Sequence, residues 1–130
     1  MMIEGELGKL YEDGEVITQQ GDTGHSMFVV QRGQVEITLR TETEEIVLST
    51  LERGDVFGEM ALFTKRERSA TARAVGRARV MTVDKRGFMK RVHQDPSLAY
   101  RILQKMSERI QTLNTKIASL QSEITKREAG

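Results

Sequence analysis

At Asp95-Pro96 the hydrophobic period of this chain changes. Before that point apolar residues alternate with polar ones or come in short runs punctuated by glycine. After it they recur at steps of three and four for about thirty residues, the spacing of a helix face. The two periods cannot share one element, so the chain is expected to be mainly β with C-terminal helices. Its 130 residues suit one principal core, placed over residues 1–95, followed by a helical segment over 96–130.

The first part reads as many short strands. Residues 7–11 form a first strand, Asp13-Gly14 a turn, and residues 15–18 a second strand. A polar loop at 20–24 leads into an apolar strand over 27–31. Arg32-Gly33 then makes a tight turn into residues 34–40, where Val35, Ile37 and Leu39 alternate with polar neighbours, one face buried and one wet. Residues 41–44 are a polar hairpin tip before Ile46, Val47 and Leu48, and Arg53-Gly54-Asp55 turns the chain into Val56-Phe57. Two further strands fall near 71–75 and 79–83. Evenly spaced strands of this kind predict a β-sandwich or a jelly-roll barrel.

Asp84 is positioned to cap a short helix over 85–93, with Gly87 a weak point inside it. Asp95-Pro96 supplies a capping acid and a proline at the first helical position, and nothing interrupts the helix from there to about residue 127. At 1.5 Å per residue such a helix is roughly 48 Å long, too long to lie against one small barrel. Leu103, Met106, Ile110, Leu113, Ile117, Leu120 and Ile124 form a heptad seam along it, with isoleucine at a and leucine at d after the first turn. That choice favours a parallel two-stranded coiled coil, so a homodimer through this helix is expected. Packing on the chain's own barrel accounts for Leu98, Ile102 and Leu103 but hardly for residues 117–124. The flanking e and g positions (Arg109, Asn114, Lys116, Gln121 and Glu123) offer few charge pairs, so partner choice is weakly encoded.

Residues 57–74, FGEMALFTKRERSATARA, carry the chemistry. Gly58 lets backbone amides approach a ligand with no side chain in the way. Residues 59–62 can form one helical turn whose N-terminal amides face an anion. Arg68 can return as a two-pronged cation for that anion. Glu59 beside an anion makes sense as an acceptor for a ligand's hydroxyl groups. The bland alternative is an amphipathic turn followed by a surface arginine.

Phe57, Gly58, Glu59, Ala61, Leu62, Arg68, Ala70 and Thr71 fall without a gap on the pattern of the phosphate-binding cassette. In this the chain resembles the cyclic nucleotide-binding domain family, on the side of its catabolite activator protein-like sensors. The resemblance implies a double-stranded β-helix (jelly-roll) barrel followed by a long dimerisation helix. It also implies that Glu59 holds the ribose 2′-hydroxyl and Arg68 the cyclic phosphate. Amides over 58–62, including those of Met60 and Ala61, would take the remaining phosphate oxygens, with Ser69 and Ala70 completing the cassette. Glu67 departs from the protein-kinase branch, which usually has proline there. Ser69 fits cyclic AMP or cyclic GMP, and cyclic AMP is the expected ligand. In the bacterial cyclic AMP receptors a Thr-Ser pair on the long helix reads adenine. Counting on from Arg68 puts Leu113 and Asn114 at those places, leaving Asn114 or Thr112 for the base edge. Ile37 and Leu48 are candidates for the apolar wall beside the purine.

Charge supports an anion site. Residues 1–64 carry four Lys/Arg against thirteen Asp/Glu, a net of −9, whereas residues 65–91 carry ten against two, a net of +8. Much of that basic charge is accounted for as solvated surface, but it also draws small anions toward Arg68. Cysteine is absent, and no apolar run is long enough to span a bilayer. Met1 and Met2 are followed by acidic residues and glycines rather than a signal peptide, so a cytoplasmic location is expected. A metal-dependent enzyme on a cupin-type jelly roll would need several histidines. Only His25 and His93 are present, and no nucleophile elbow or carboxylate pair stands out, so neither enzymatic activity nor a bound metal is expected. No DNA-recognition helix follows the long helix, so DNA readout is not expected and output would pass to an effector protein. A dimeric scaffold of the same fold without nucleotide binding is the rival reading.

Overall fold

The computed structural model describes residues 8–64 and 67–129. The chain divides into two compact units, Met1–His93 and Gln94–Gly130. In chain order the first contains β1 (Lys9–Tyr11), β2 (Val16–Thr18), β3 (Ser26–Arg40), β4 (Glu45–Leu51), β5 (Val56–Phe57), the single helical turn α1 (Met60–Phe63) and β6 (Thr71–Asp84). The helix α2 (Lys85–Gln94) follows, and the long helix α3 (Ser97–Ala129) makes up most of the second unit. Leu7, expected in the first strand, lies outside the described residues, as do Lys65 and Arg66 of the basic stretch.

All six strands join one antiparallel sheet of order β1-β6-β3-β4, with β2 also on β6 and β5 also on β3. The arrangement fits a jelly roll, but the sheet is not closed into a barrel. Its spine is the ladder between β3 and β6, which runs from Ser26 opposite Asp84 to Thr38 opposite Thr71. Two expected pairs of strands are therefore two long strands. Arg32-Gly33 does not end a strand; the register slips on either side of Arg32, and Gly33 takes φ +79°. A side chain at residue 33 would collide with the Arg77 carbonyl, so the bend depends on glycine in both conformation and space.

The bend is compulsory. Ser26 and Thr38 would stand about 40 Å apart on a straight strand of twelve steps. Arg68, three residues before Thr71, nevertheless reaches the Ser26 carbonyl with its side chain. Only a ladder folded back on itself permits both contacts. Inside the fold, the small residues Ala72 and Ala74 of β6 lie opposite Ile37 and Val35 of β3, so bulky and small side chains alternate across one face. Tyr11, Phe28 and Phe57 complete that core.

Helix α2 is capped as its sequence suggests, the Gly87 amide donating to the Asp84 carboxylate at 2.7 Å. Helix α3 begins at Ser97, one residue past Pro96, and its 33 residues span about 50 Å. Leu98 and Ile102 are buried, whereas Leu103, Ile110, Leu113, Ile117, Leu120 and Ile124 are exposed, Ile117 at 59%. Ahead of the helix, the Ser97 hydroxyl donates to Asp95 at 2.6 Å and Arg101 reaches the same carboxylate at 3.4 Å.

The Ser97 hydrogen bond, followed by Arg101, holds the Asp95 carboxyl below its usual range. A carboxyl depressed in the folded state adds stability above its unfolded pKa, and that contribution fades as pH falls through the folded value. Ser97→Ala is expected to move the Asp95 midpoint upward in a carbon-13 NMR titration. An unmoved midpoint would assign the depression to Arg101 instead.

Candidate functional site

The site is built where β5 ends. Phe57 pairs with Phe28 of β3, and their rings stack at 5.0 Å with planes 15° apart. Gly58 then turns with φ +74°, and the chain enters α1 with Glu59 at the N-cap position. The turn lies one residue later than expected, over Met60–Phe63. Leu62 is its buried anchor, while Met60 and Phe63 are exposed and Phe63 meets Phe88 edge-on at 5.7 Å. The Ala61 amide donates to Gly58 O and the Leu62 amide to Glu59 O. Of the amides the resemblance implies for a phosphate, these two are already engaged within the turn.

The return leg positions Arg68. Its amide donates to Asp22 O and its carbonyl accepts from the Gly21 amide, both at 2.8 Å, so residues 21–22 hold the backbone on both sides. Thr23 forms an isolated bridge with Glu67 beside them. The arginine side chain folds inward to 8% exposure. Its Nη1 donates to Ser26 O at 2.8 Å and to Gly58 O at 3.2 Å, and Cζ lies 5.2 Å from the centre of the Phe28 ring. Burial lowers the guanidinium pKa, yet a guanidinium keeps its charge in any protein environment. Among the described residues no carboxylate pairs with it; carbonyl oxygens and a ring face are its partners. A buried cation without an anion is costly to keep, and a bound anion relieves that cost.

The remaining candidates are distributed unevenly. Ser69 is exposed and Ala70 half-buried just before β6. Thr71 is buried, its hydroxyl accepting from the Gln20 amide at 2.9 Å. Ile37 is half-buried against the core. Leu48, 41% exposed, falls in a bulge of β4, because Ser49 pairs with Ile37 and Val47 with Thr38. A bulge leaves one residue unpaired and re-aims it. Asn114 lies on α3, exposed, in the other compact unit. The exposed imidazoles of His25 and His93 join no cluster of potential metal ligands among the described residues.

Sequence reasoning passed over Gly24 and Phe28. Gly24 stood in a stretch read only as a polar loop, and Phe28 in one read only as an apolar strand. Both lie against the Arg68 guanidinium.

Comparison with known proteins agrees with this geometry. The profile of the Cyclic nucleotide-binding domain family matches residues 9–95. A Rhodopseudomonas palustris protein named as a potassium channel is 36% identical over 115 residues, 86% of this chain and 27% of that protein. The cAMP-dependent protein kinase regulatory subunit of Dictyostelium discoideum is 37% identical over 82 residues, 60% of this chain and 25% of the subunit. The crystal structure of Thermus thermophilus catabolite activator protein superposes with a TM-score of 0.74 at 27% identity, covering 86% of this chain and 53% of that one. The chain thus spans about a quarter of these two sequence relatives and about half of the structural one.

A Cβ at residue 58 would be strained by the positive φ and would stand 2.8 Å from Nη1 of Arg68 and 3.2 Å from Cδ2 of Phe28. Gly58→Ala is expected to lower the unfolding free energy by about 1–3 kcal/mol in urea denaturation. A loss below about 0.5 kcal/mol would mean that the turn rearranges freely.

Proposed function

Because the chain belongs to the cyclic nucleotide-binding domain family, we propose that it is a cytoplasmic regulatory module that binds cyclic AMP and signals through its long helix. The observation that carries the reading is Arg68, a buried guanidinium with no carboxylate partner among the described residues, held beside Gly58. The cyclic phosphate supplies the missing anion. Its two exocyclic oxygens accept from the Arg68 guanidinium, and Glu59 accepts from the ribose 2′-hydroxyl. Ile37 and Leu48 offer apolar surface to the purine. Cyclic GMP is the second ligand to test, because Ser69 is compatible with either base.

The module has no catalytic role in this reading. Nucleotide binding shifts the population of helix arrangements by its differential affinity for them, and an effector protein reads the result. The exposed seam of α3 supports a homodimer, since six large apolar side chains along one helical stripe are otherwise left in water.

Calorimetric titration of the nucleotide-stripped protein with cyclic AMP and cyclic GMP tests the ligand. Arg68→Ala is expected to weaken binding roughly ten- to a hundredfold, the loss of about 1.5–3 kcal/mol for a charge-assisted phosphate contact. No heat with either nucleotide would leave a scaffold of the same fold. The dimer is tested by sedimentation velocity, in which the parent is expected to run as two chains and Ile117→Lys as one. A monomeric parent at micromolar concentration would remove the coiled coil from the mechanism.

A further inference from the structure

We infer that Gly24 is a positioning residue for the phosphate-binding arginine, acting through the side chain it lacks; the inference rests on the nucleotide-binding reading above. Gly24 is not among the glycines with positive φ, so no turn geometry demands a glycine there. What demands it is space. A Cβ built on residue 24 would lie 2.5 Å from both Cζ and Nε of Arg68 and closer still to Nη2, so the guanidinium rests directly on the glycine backbone. Gly58 imposes the same requirement at another atom of the group, its own Cβ position being 2.8 Å from Nη1.

Two bare backbone positions therefore flank one guanidinium. Phe28 presents its ring to Cζ at 5.2 Å, and the Ser26 and Gly58 carbonyls take Nη1. All these contacts are made by the chain itself, so the protein orients the charge and little side-chain freedom remains to be lost on binding an anion. Residue 24 is the weak wall of this seat, because the atoms it would meet are the far end of a flexible side chain. A methyl group there displaces the arginine and leaves the surrounding strands alone.

The test is a double-mutant cycle on the full chain, with cyclic AMP as titrant and the ligand-free protein followed by NMR. Gly24→Ala is expected to weaken binding about tenfold while leaving the urea midpoint nearly unchanged. In the Arg68→Ala background the same substitution is expected to have no further effect, because its target is gone. In the ligand-free parent the Arg68 Nε–H resonance is expected to be shifted by the Phe28 ring, and in Gly24→Ala to move to the position of an exposed arginine. Affinity within twofold of the parent, an equal loss in the Arg68→Ala background, or an unmoved Nε–H resonance would each overturn the assignment. If the parent binds no cyclic nucleotide, the functional reading fails by itself, while the Arg68 resonance still decides whether Gly24 seats the guanidinium.

Discussion

The bent ladder between β3 and β6 is the constraint on which the first unit depends. Its two strands supply most of the buried residues, and β1, β2, β4 and β5 each pair with one of them. The bend at Gly33 brings the start of β3 within reach of the segment that precedes β6, although the ladder pairs that segment's end with the far end of β3. A site composed of residues 21–28, 57–62 and 68–70 can exist only in a sheet folded in this way. Secondary anchors keep the ends in place. The Gln20 side-chain amide both accepts from the Arg40 amide at 2.8 Å and donates to the Arg40 carbonyl at 3.3 Å, pinning the entrance loop to the end of β3.

The site inverts the usual economy of a protein interior. Elsewhere a buried polar group is satisfied within the chain, as Thr71 is by Gln20, and even the half-buried Arg73 has a carboxylate, that of Glu45 at 2.9 Å. Arg68 has its hydrogen bonds partly met by carbonyl oxygens but its charge met by nothing anionic among the described residues. Carbonyl oxygens orient a guanidinium without neutralising it. The first unit therefore contains a cation that is fixed in direction yet still electrically open, which a preorganised anion site requires.

How much of this could be read from the residues depended on distance along the chain. The cassette is local, so the spacing from Phe57 to Thr71 was visible, and the period change at Asp95-Pro96 separated the strands from the long helix. Helix starts at Asp84 and Asp95 were legible because capping is also local. Arg32-Gly33 looked like the end of a strand because a glycine with positive φ serves a tight turn and a bend in a continuous ladder equally well. Leu48 sits in a run, Ile46-Val47-Leu48, that shows no sign of a bulge; the extra residue appears only in the register against Thr38 and Ile37. Gly24 was illegible for the same reason. Its partner is an arginine far along the sequence, and nothing within a local window distinguishes a glycine kept for close approach from one kept for a turn.

The electrically open arginine also places the protein in competition with its surroundings. Any small anion that fits beside Gly58 would relieve part of the same charge, so inorganic phosphate or sulfate is expected to compete weakly for it, even without the features that confer meaning on a signal. The charge sets how firmly the pocket is held, not by whom. In the proposed function, discrimination then falls to Glu59 at the ribose and to the contacts around the base, and the working threshold of the module would follow the ionic composition of its surroundings as well as the concentration of its nucleotide.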